Sequence, residues 1–148
     1  MKAVLVLNGP NLNLLGEREP EVYGKLDLPE INKRLEELGR MLGLEVHFQQ
    51  SNSEGTLVDA LQEARLWADG VVFNPGGYTS TSVALLDAVK AIPIPVVEAH
   101  LSNIHAREEY RRRSMIAPAC IGSIAGFGWR SYALALRALM EWLDDQVT

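Results

Sequence analysis

Three short strings carry side chains of the kind that move protons and grip anions: Asn8-Gly9-Pro10-Asn11, Asn74-Pro75-Gly76-Gly77 and Glu98-Ala99-His100-Leu101-Ser102-Asn103. His100 leads for acid–base work, because imidazole titrates nearest neutrality. A lone histidine is more often structural, and His47 and His105 are read that way. His100 differs in having Glu98 two residues earlier, able to orient or charge the ring if the backbone bends after the strand. The Leu101-Ser102-Asn103 segment that follows sits at a helix start, where free backbone N–H groups can bind a carboxylate or phosphate. Glu98 could equally be a cap or an ion-pair partner, and any one Asn or Gly could be a turn residue. Three such strings together favour a site.

Arg18 and Tyr23 offer a second kind of chemistry. Taken alone, they read as a surface arginine and a tyrosine packed under a loop. The alternative is a tyrosinate base held by guanidinium charge. Bringing a phenol of ordinary pKa near 10 down to neutrality takes roughly 4 kcal/mol. One or two close arginines in a partly dry site can supply energy of that order. Arg18 is one source, and Arg107 or Arg111 another. Arg107, Arg111, Arg112 and Arg113 fall within seven positions of an otherwise acidic chain. Such a run is usually a solvated helix face, but one or two of its members could meet an anionic small molecule.

The elements that must position these residues follow from apolar spacing. Residues 2–7 form a short apolar run closed by Asn8-Gly9-Pro10, which reads as a buried strand. Residues 27–42 read as a helix, with Leu28, Ile31, Leu35, Leu38 and Leu42 on one face. Asp27 with Glu30 fits an N-terminal cap, Pro29 fits the first turn and Gly43 fits the stop. Residues 44–49 alternate as a strand with one exposed face, and residues 53–68 read as helix. A strand at 71–73, a helix at 81–90, a strand at 95–98, a helical stretch at 104–113 and a strand at 120–125 follow. The last helix begins near Trp129, with Tyr132, Leu136, Leu139 and Leu143 on its apolar face.

This alternation predicts an α/β three-layer sandwich: a five-stranded parallel sheet with helices on both faces, of flavodoxin-like strand order 2-1-3-4-5. In such sheets ligands bind beyond the carboxyl ends of the strands, where the three polar strings all fall. Residues 9–26 are long for a connection that normally spans about 2–6 residues, and the reading is a lid around residues 17–25.

At 148 residues, 47% hydrophobic and 22% charged, the chain suits one domain, 1–148, with a core of its own. The net charge of −5 argues against a nucleic-acid surface. Cys120 is the only cysteine, which fits a reducing compartment. No apolar run approaches the length of a membrane helix, and the opening residues are too short for a secretory signal. A cytoplasmic protein with no nucleic-acid or membrane partner is expected.

Read in order, Asn8-Gly9-Pro10-Asn11-Leu12-Asn13-Leu14-Leu15-Gly16, Arg18-Glu19-Pro20, Tyr23-Gly24, Gln49-Ser51-Asn52-Glu54-Gly55, Asn74-Pro75-Gly76 with Thr79 and Thr81-Ser82, Glu98-His100-Ser102-Asn103 and Ala106-Arg107-Glu108-Glu109 with Arg111, then Gly122 and Gly126, resemble the signature of type II 3-dehydroquinate dehydratases over nearly the whole chain. The resemblance implies a flavodoxin-like lyase that converts 3-dehydroquinate to 3-dehydroshikimate through an enolate, without metal or organic cofactor. It casts Tyr23 as the base, Arg18 as its charge partner, Asn11 as holder of a water at the enolate, His100 as the acid for the departing hydroxyl and Glu98 as the residue orienting His100. Asn74 and the backbone N–H groups of Leu101 and Ser102 would hold the substrate carboxylate, and Arg111 a ring hydroxyl. Gly76, Gly77 and Ser80 would complete the substrate pocket, and Asp87 would reach a neighbouring subunit's site. A homododecamer built from trimers is implied by the resemblance alone.

The chain departs from the family pattern at Gly77, Ser80 and Leu86, where Ala, His and Arg are usual. Ser80 replaces a usual hydrogen-bond partner of the substrate, which bears on affinity more than on the reaction, and Leu86 bears on a subunit contact. Two other uses of such a sheet fit the residues poorly. A flavin carrier needs a phosphate loop after strand one, where Pro10 removes a backbone donor. A phosphorylatable signalling domain needs acidic residues where this chain has Asn8 and Asn74. A relative that binds a cyclic polyol acid without turnover is a lesser alternative, since no member of the implied catalytic set is missing.

Overall fold

The computed structural model describes residues 1–147, and the side chains of residues 1–146. Five strands, β1 (Lys2–Asn8), β2 (Leu44–Gln50), β3 (Gly70–Asn74), β4 (Val96–His100) and β5 (Gly122–Ala125), form one sheet of order β2-β1-β3-β4-β5. Every pairing is parallel. The expected topology is therefore the observed one.

Alternation along the strands builds a core on each face. Val4 and Val6 of β1, Val72 of β3 and Val97 and Ala99 of β4 pack with Leu28, Ile31 and Leu35 of α2 (Leu28–Leu42) and with Leu136, Leu139 and Leu143 of α6 (Arg130–Val147). Leu5, Leu7, Val71, Phe73 and Val96 point the other way. They meet Leu57 and Leu61 of α3 (Glu54–Ala64) and Leu85, Ala88 and Val89 of α4 (Val83–Ala91). Period-2 side-chain direction in each central strand thus assigns helices to both faces.

The cap at α2 is as expected: the Asp27 side chain accepts from the Glu30 backbone N–H at 2.9 Å, and Gly43 closes the helix at φ 75°. Elsewhere the structure corrects the expected boundaries. The helix at 53–68 ends at Ala64, whose carbonyl accepts from both Trp67 and Ala68, so Ala68 reaches the core from a tightened turn. The stretch 104–113 is not one helix but a 3-10 turn (Ile104–Ala106) and a single α-helical turn, α5 (Glu109–Arg112). Arg107 and Glu108 between them are extended, and the Arg107 carbonyl is taken by the Arg112 side chain at 2.9 Å. Only Ile104 in this stretch is buried, so no apolar face holds a continuous helix against the sheet. The long connection after β1 contains the 3-10 turn Leu12–Leu14 and a one-turn helix, α1 (Pro20–Tyr23), that the sequence did not suggest.

Candidate active site

β1, β3 and β4 end side by side, and their ends set three of the site's walls. The first two cross closely: the Gly9 backbone N–H donates to the Asn74 carbonyl at 2.8 Å. A Cβ at Gly9 would lie 2.3 Å from the Pro75 carbonyl oxygen. Gly76 makes the reciprocal approach at φ 62°, with its Cβ position 2.9 Å from the Pro10 carbonyl oxygen. Both contacts are backbone on backbone and cannot be relieved by a rotamer change. Gly9→Ala is therefore expected to cost roughly 1–3 kcal/mol of stability, read as a lowered urea midpoint; a midpoint equal to the parent's would show that the crossing relaxes freely.

Asn11, next along the loop, adopts φ 68°, a left-handed conformation that asparagine tolerates better than most residues. Its backbone N–H donates to Asn52 Oδ1 at 3.0 Å, and Gln50 Nε2 donates both to Asn52 Oδ1 and to the Gly9 carbonyl at 3.1 Å. The loop is thus anchored from the end of β2.

The sequence suggested that a bend would be needed to bring Glu98 and His100 together. None is needed, because β4 runs to His100 and residues two apart share a strand face. His100 Nε2 and Glu98 Oε2 are 2.5 Å apart, with the ring N–H donating to the carboxylate. Glu98 is fully buried and its Oε1 has no hydrogen-bond partner among the described residues. A buried carboxylate is costly without a paired charge or donor, so the pair holds the ring in place and leaves Nδ1 for the crevice.

The segment carrying α1 lines the same crevice. The Arg18 guanidinium lies 4.7 Å from the centre of the Tyr23 ring, and its NH2 group is 3.4 Å from the Tyr23 hydroxyl. Arg107 approaches the same ring at 5.4 Å, while donating to the Ser102 hydroxyl at 3.3 Å. The extended backbone at Arg107 that interrupts the helix is what turns this side chain toward Tyr23. Arg111 lies 3.2 Å from the Glu108 carboxylate. The neighbouring Tyr110 raises its pKa above an already high value against the opposing effect of burial, and Tyr23 adds to the rise, so it stays a cation.

These residues enclose a crevice of about 160 Å³. It brings together Asn11, Arg18, Tyr23, Asn74, Gly76, Gly77, Ser80, His100, Leu101, Ser102 and Arg111, along with Arg107, which the sequence placed only among the arginines available to Tyr23. Glu98 sits behind His100. Asp87 does not line the crevice; it is exposed on α4. A Cβ at Gly77 would meet nothing within 4 Å, so that wall has room to spare. His47 lies elsewhere, exposed beside Glu45 and edge-on to Trp67. Among the described residues there is no group of three or more His, Cys, Asp or Glu side chains placed to hold a metal ion. No helix among them is long and apolar enough to cross a membrane.

A crevice with a phenol under two guanidinium groups and a carboxylate-held imidazole can remove one proton and deliver another. The comparisons with known proteins point to one family. The dehydroquinase class II family model matches residues 2–140. The 3-dehydroquinate dehydratase of Rhizobium etli (strain CIAT 652) is 60% identical over 138 residues, covering 93% of this chain and 95% of the relative. That of Caldicellulosiruptor bescii is 52% identical over 145 residues, covering 97% of this chain and all of the relative, 100%. Among solved structures, a type II dehydroquinase from Butyrivibrio crossotus DSM 2876 superposes with a TM-score of 0.92 at 41% identity, over 93% of this chain and 97% of that one.

Proposed function

The chain belongs to the class II dehydroquinase family, and from that membership and the crevice we infer that it is a 3-dehydroquinate dehydratase, a hydro-lyase of the shikimate pathway or of quinate breakdown. The observation that carries the reading is the meeting, in one crevice, of Tyr23 with its two arginines and of His100 backed by Glu98.

In this reading Tyr23, as the phenolate, takes a proton from the carbon beside the substrate ketone. The electron pair left on that carbon moves onto the ketone oxygen to give an enolate. Arg18 and Arg107 stabilise the negative charge that the base carries before the proton arrives. Their positive charges are close and partly shielded from water, where such attraction is stronger than in bulk solvent. A water held by Asn11 donates to the enolate oxygen. The enolate then re-forms the ketone, its electrons make the new carbon–carbon double bond, and the hydroxyl at the far carbon leaves with a proton from His100. One water departs, and the product is a conjugated enone. Base, oxyanion donor and acid for the leaving group are the three parts this chemistry requires.

The substrate carboxylate lies against Asn74 and the backbone N–H groups of Leu101 and Ser102, and Arg111 takes a ring hydroxyl. Gly76, Gly77 and Ser80 form the remaining wall, where a serine hydroxyl can still donate one hydrogen bond. The segment around residues 17–25 acts as a lid, closing Arg18 and Tyr23 over the substrate and excluding water. Asp87, outside this chain's own crevice, serves the crevice of a neighbouring subunit in a homododecamer of trimers. The enzyme works in the cytoplasm and needs no cofactor; its substrate is a small molecule, and neither nucleic acid nor membrane is a partner.

The test is purified protein with 3-dehydroquinate, followed by ultraviolet absorbance of the conjugated product. Steady growth of the enone band that scales with protein is expected. No growth at any substrate concentration would end the reading.

A further inference from the structure

Behind the crevice lies a chain of three buried polar side chains that the mechanism above does not use as a unit. Asn8 ends β1, Asn74 ends β3 and Tyr132 stands in the first turn of α6; their exposures are 1%, 4% and 0%. Tyr132 donates its hydroxyl proton to Asn8 Oδ1 at 2.5 Å and accepts from Asn74 Nδ2 at 2.9 Å. Asn74 Oδ1 in turn accepts from the Gly76 backbone N–H at 3.1 Å.

Each bond fixes the sense of the next. A backbone N–H can only donate, so the Asn74 amide must turn its oxygen to Gly76 and its nitrogen to Tyr132. The phenol oxygen, already receiving that N–H, sends its own proton to Asn8. Burial pushes the Tyr132 phenol well above its ordinary pKa, against the smaller lowering effect of the Asn74 donor, so near neutral pH it keeps its proton and donates it. Among the described residues Asn74 keeps one N–H and one lone pair uncommitted, and it lines the crevice while Tyr132 does not. A flipped amide would set its N–H groups against the Gly76 N–H, a donor facing donors in a buried site.

We propose that Tyr132 is a positioning residue: with the Gly76 N–H setting which way the Asn74 amide faces, the buried hydroxyl accepts from Asn74 Nδ2 and holds that end in place, presenting the free N–H of Asn74 to the substrate carboxylate. This rests on the dehydratase reading given above. A merely structural tyrosine would tie α6 to the sheet and affect stability alone. A positioning tyrosine acts on substrate binding, and only through Asn74.

The experiment is a double-mutant cycle of Tyr132→Phe and Asn74→Ala, read in kcat, KM and urea midpoint. Losing the lock weakens a contact made in ground and transition states alike. Tyr132→Phe should therefore raise KM roughly 3- to 10-fold and leave kcat within about twofold. In the Asn74→Ala background the same substitution should leave KM unchanged, although it still lowers the urea midpoint. An unchanged KM in Tyr132→Phe, or the same factor in both backgrounds, overturns the positioning role and leaves the dehydratase reading standing. An inert parent overturns both. If Tyr132→Phe does not fold, Asn8→Ala removes the acceptor of the same hydroxyl proton, and the same dependence on Asn74 is required of it.

Discussion

Replacing Tyr23 with phenylalanine is expected to lower kcat on 3-dehydroquinate by about 100- to 10,000-fold, the usual contribution of a positioned acid or base. The geometry explains why the loss should fall on kcat. The ring of Tyr23 is held by two arginines over its face, at 4.7 and 5.4 Å, and phenylalanine keeps the ring. The hydroxyl makes one long contact, 3.4 Å to Arg18, and the residue is only half-buried, so its removal costs little stability. The segment that carries it should keep its packing, and KM should change by no more than a few-fold. What disappears is the only phenol oxygen among the residues lining the crevice. Steady-state kinetics on the parent and variant, with urea midpoints measured in parallel, check this. A variant retaining most of its kcat would move the base to another residue and leave Arg18 and Arg107 without their proposed role.

The same pair shows what a sequence can and cannot display. Arg18 and Tyr23 stand five positions apart in a connection too long for its topology, and that excess length is what suggests the proposed lid. Their contact depends on the one-turn helix Pro20–Tyr23, entered through Glu19 at φ 37° and left through Gly24 at φ 89°. No apolar period announces so short a helix, since none of its side chains is fully buried. Arg107 was legible only as one of several arginines, because its direction comes from two extended residues where the composition suggested continuous helix. The strand ends were far more readable. Apolar runs closed by Asn, Gly and Pro mark β1 and β3, the alternation of strands and helices implies a parallel sheet, and the flavodoxin-like order preferred for it, which is the observed one, puts those ends together. Tyr132 illustrates the opposite failure: it keeps the apolar spacing of α6, which marks it as core, and its ring is core. Its hydroxyl meets Asn8 across 124 positions of sequence, a pairing that spacing cannot reveal.

His100→Ala should produce two losses that can be separated. The first is catalytic: with the imidazole gone, no side chain is placed to protonate the departing hydroxyl, and kcat should fall by about 100- to 10,000-fold. The second is a loss of stability that Tyr23→Phe does not share. Glu98 is fully buried, its Oε1 has no partner among the described residues, and its Oε2 bonds to His100. Removing the ring leaves that carboxylate buried without its donor, a change that typically costs about 3–5 kcal/mol. Adding Glu98→Gln to His100→Ala removes the stranded charge while keeping the shape of the side chain. The double variant should therefore recover much of the urea midpoint and none of the kcat. Glu98→Gln alone should lower kcat less than His100→Ala, because the imidazole remains and only its orienting partner is weakened. If the double variant recovered activity together with stability, the deficit of His100→Ala would be one of folding, and the proton for the leaving hydroxyl would have to come from elsewhere in the crevice.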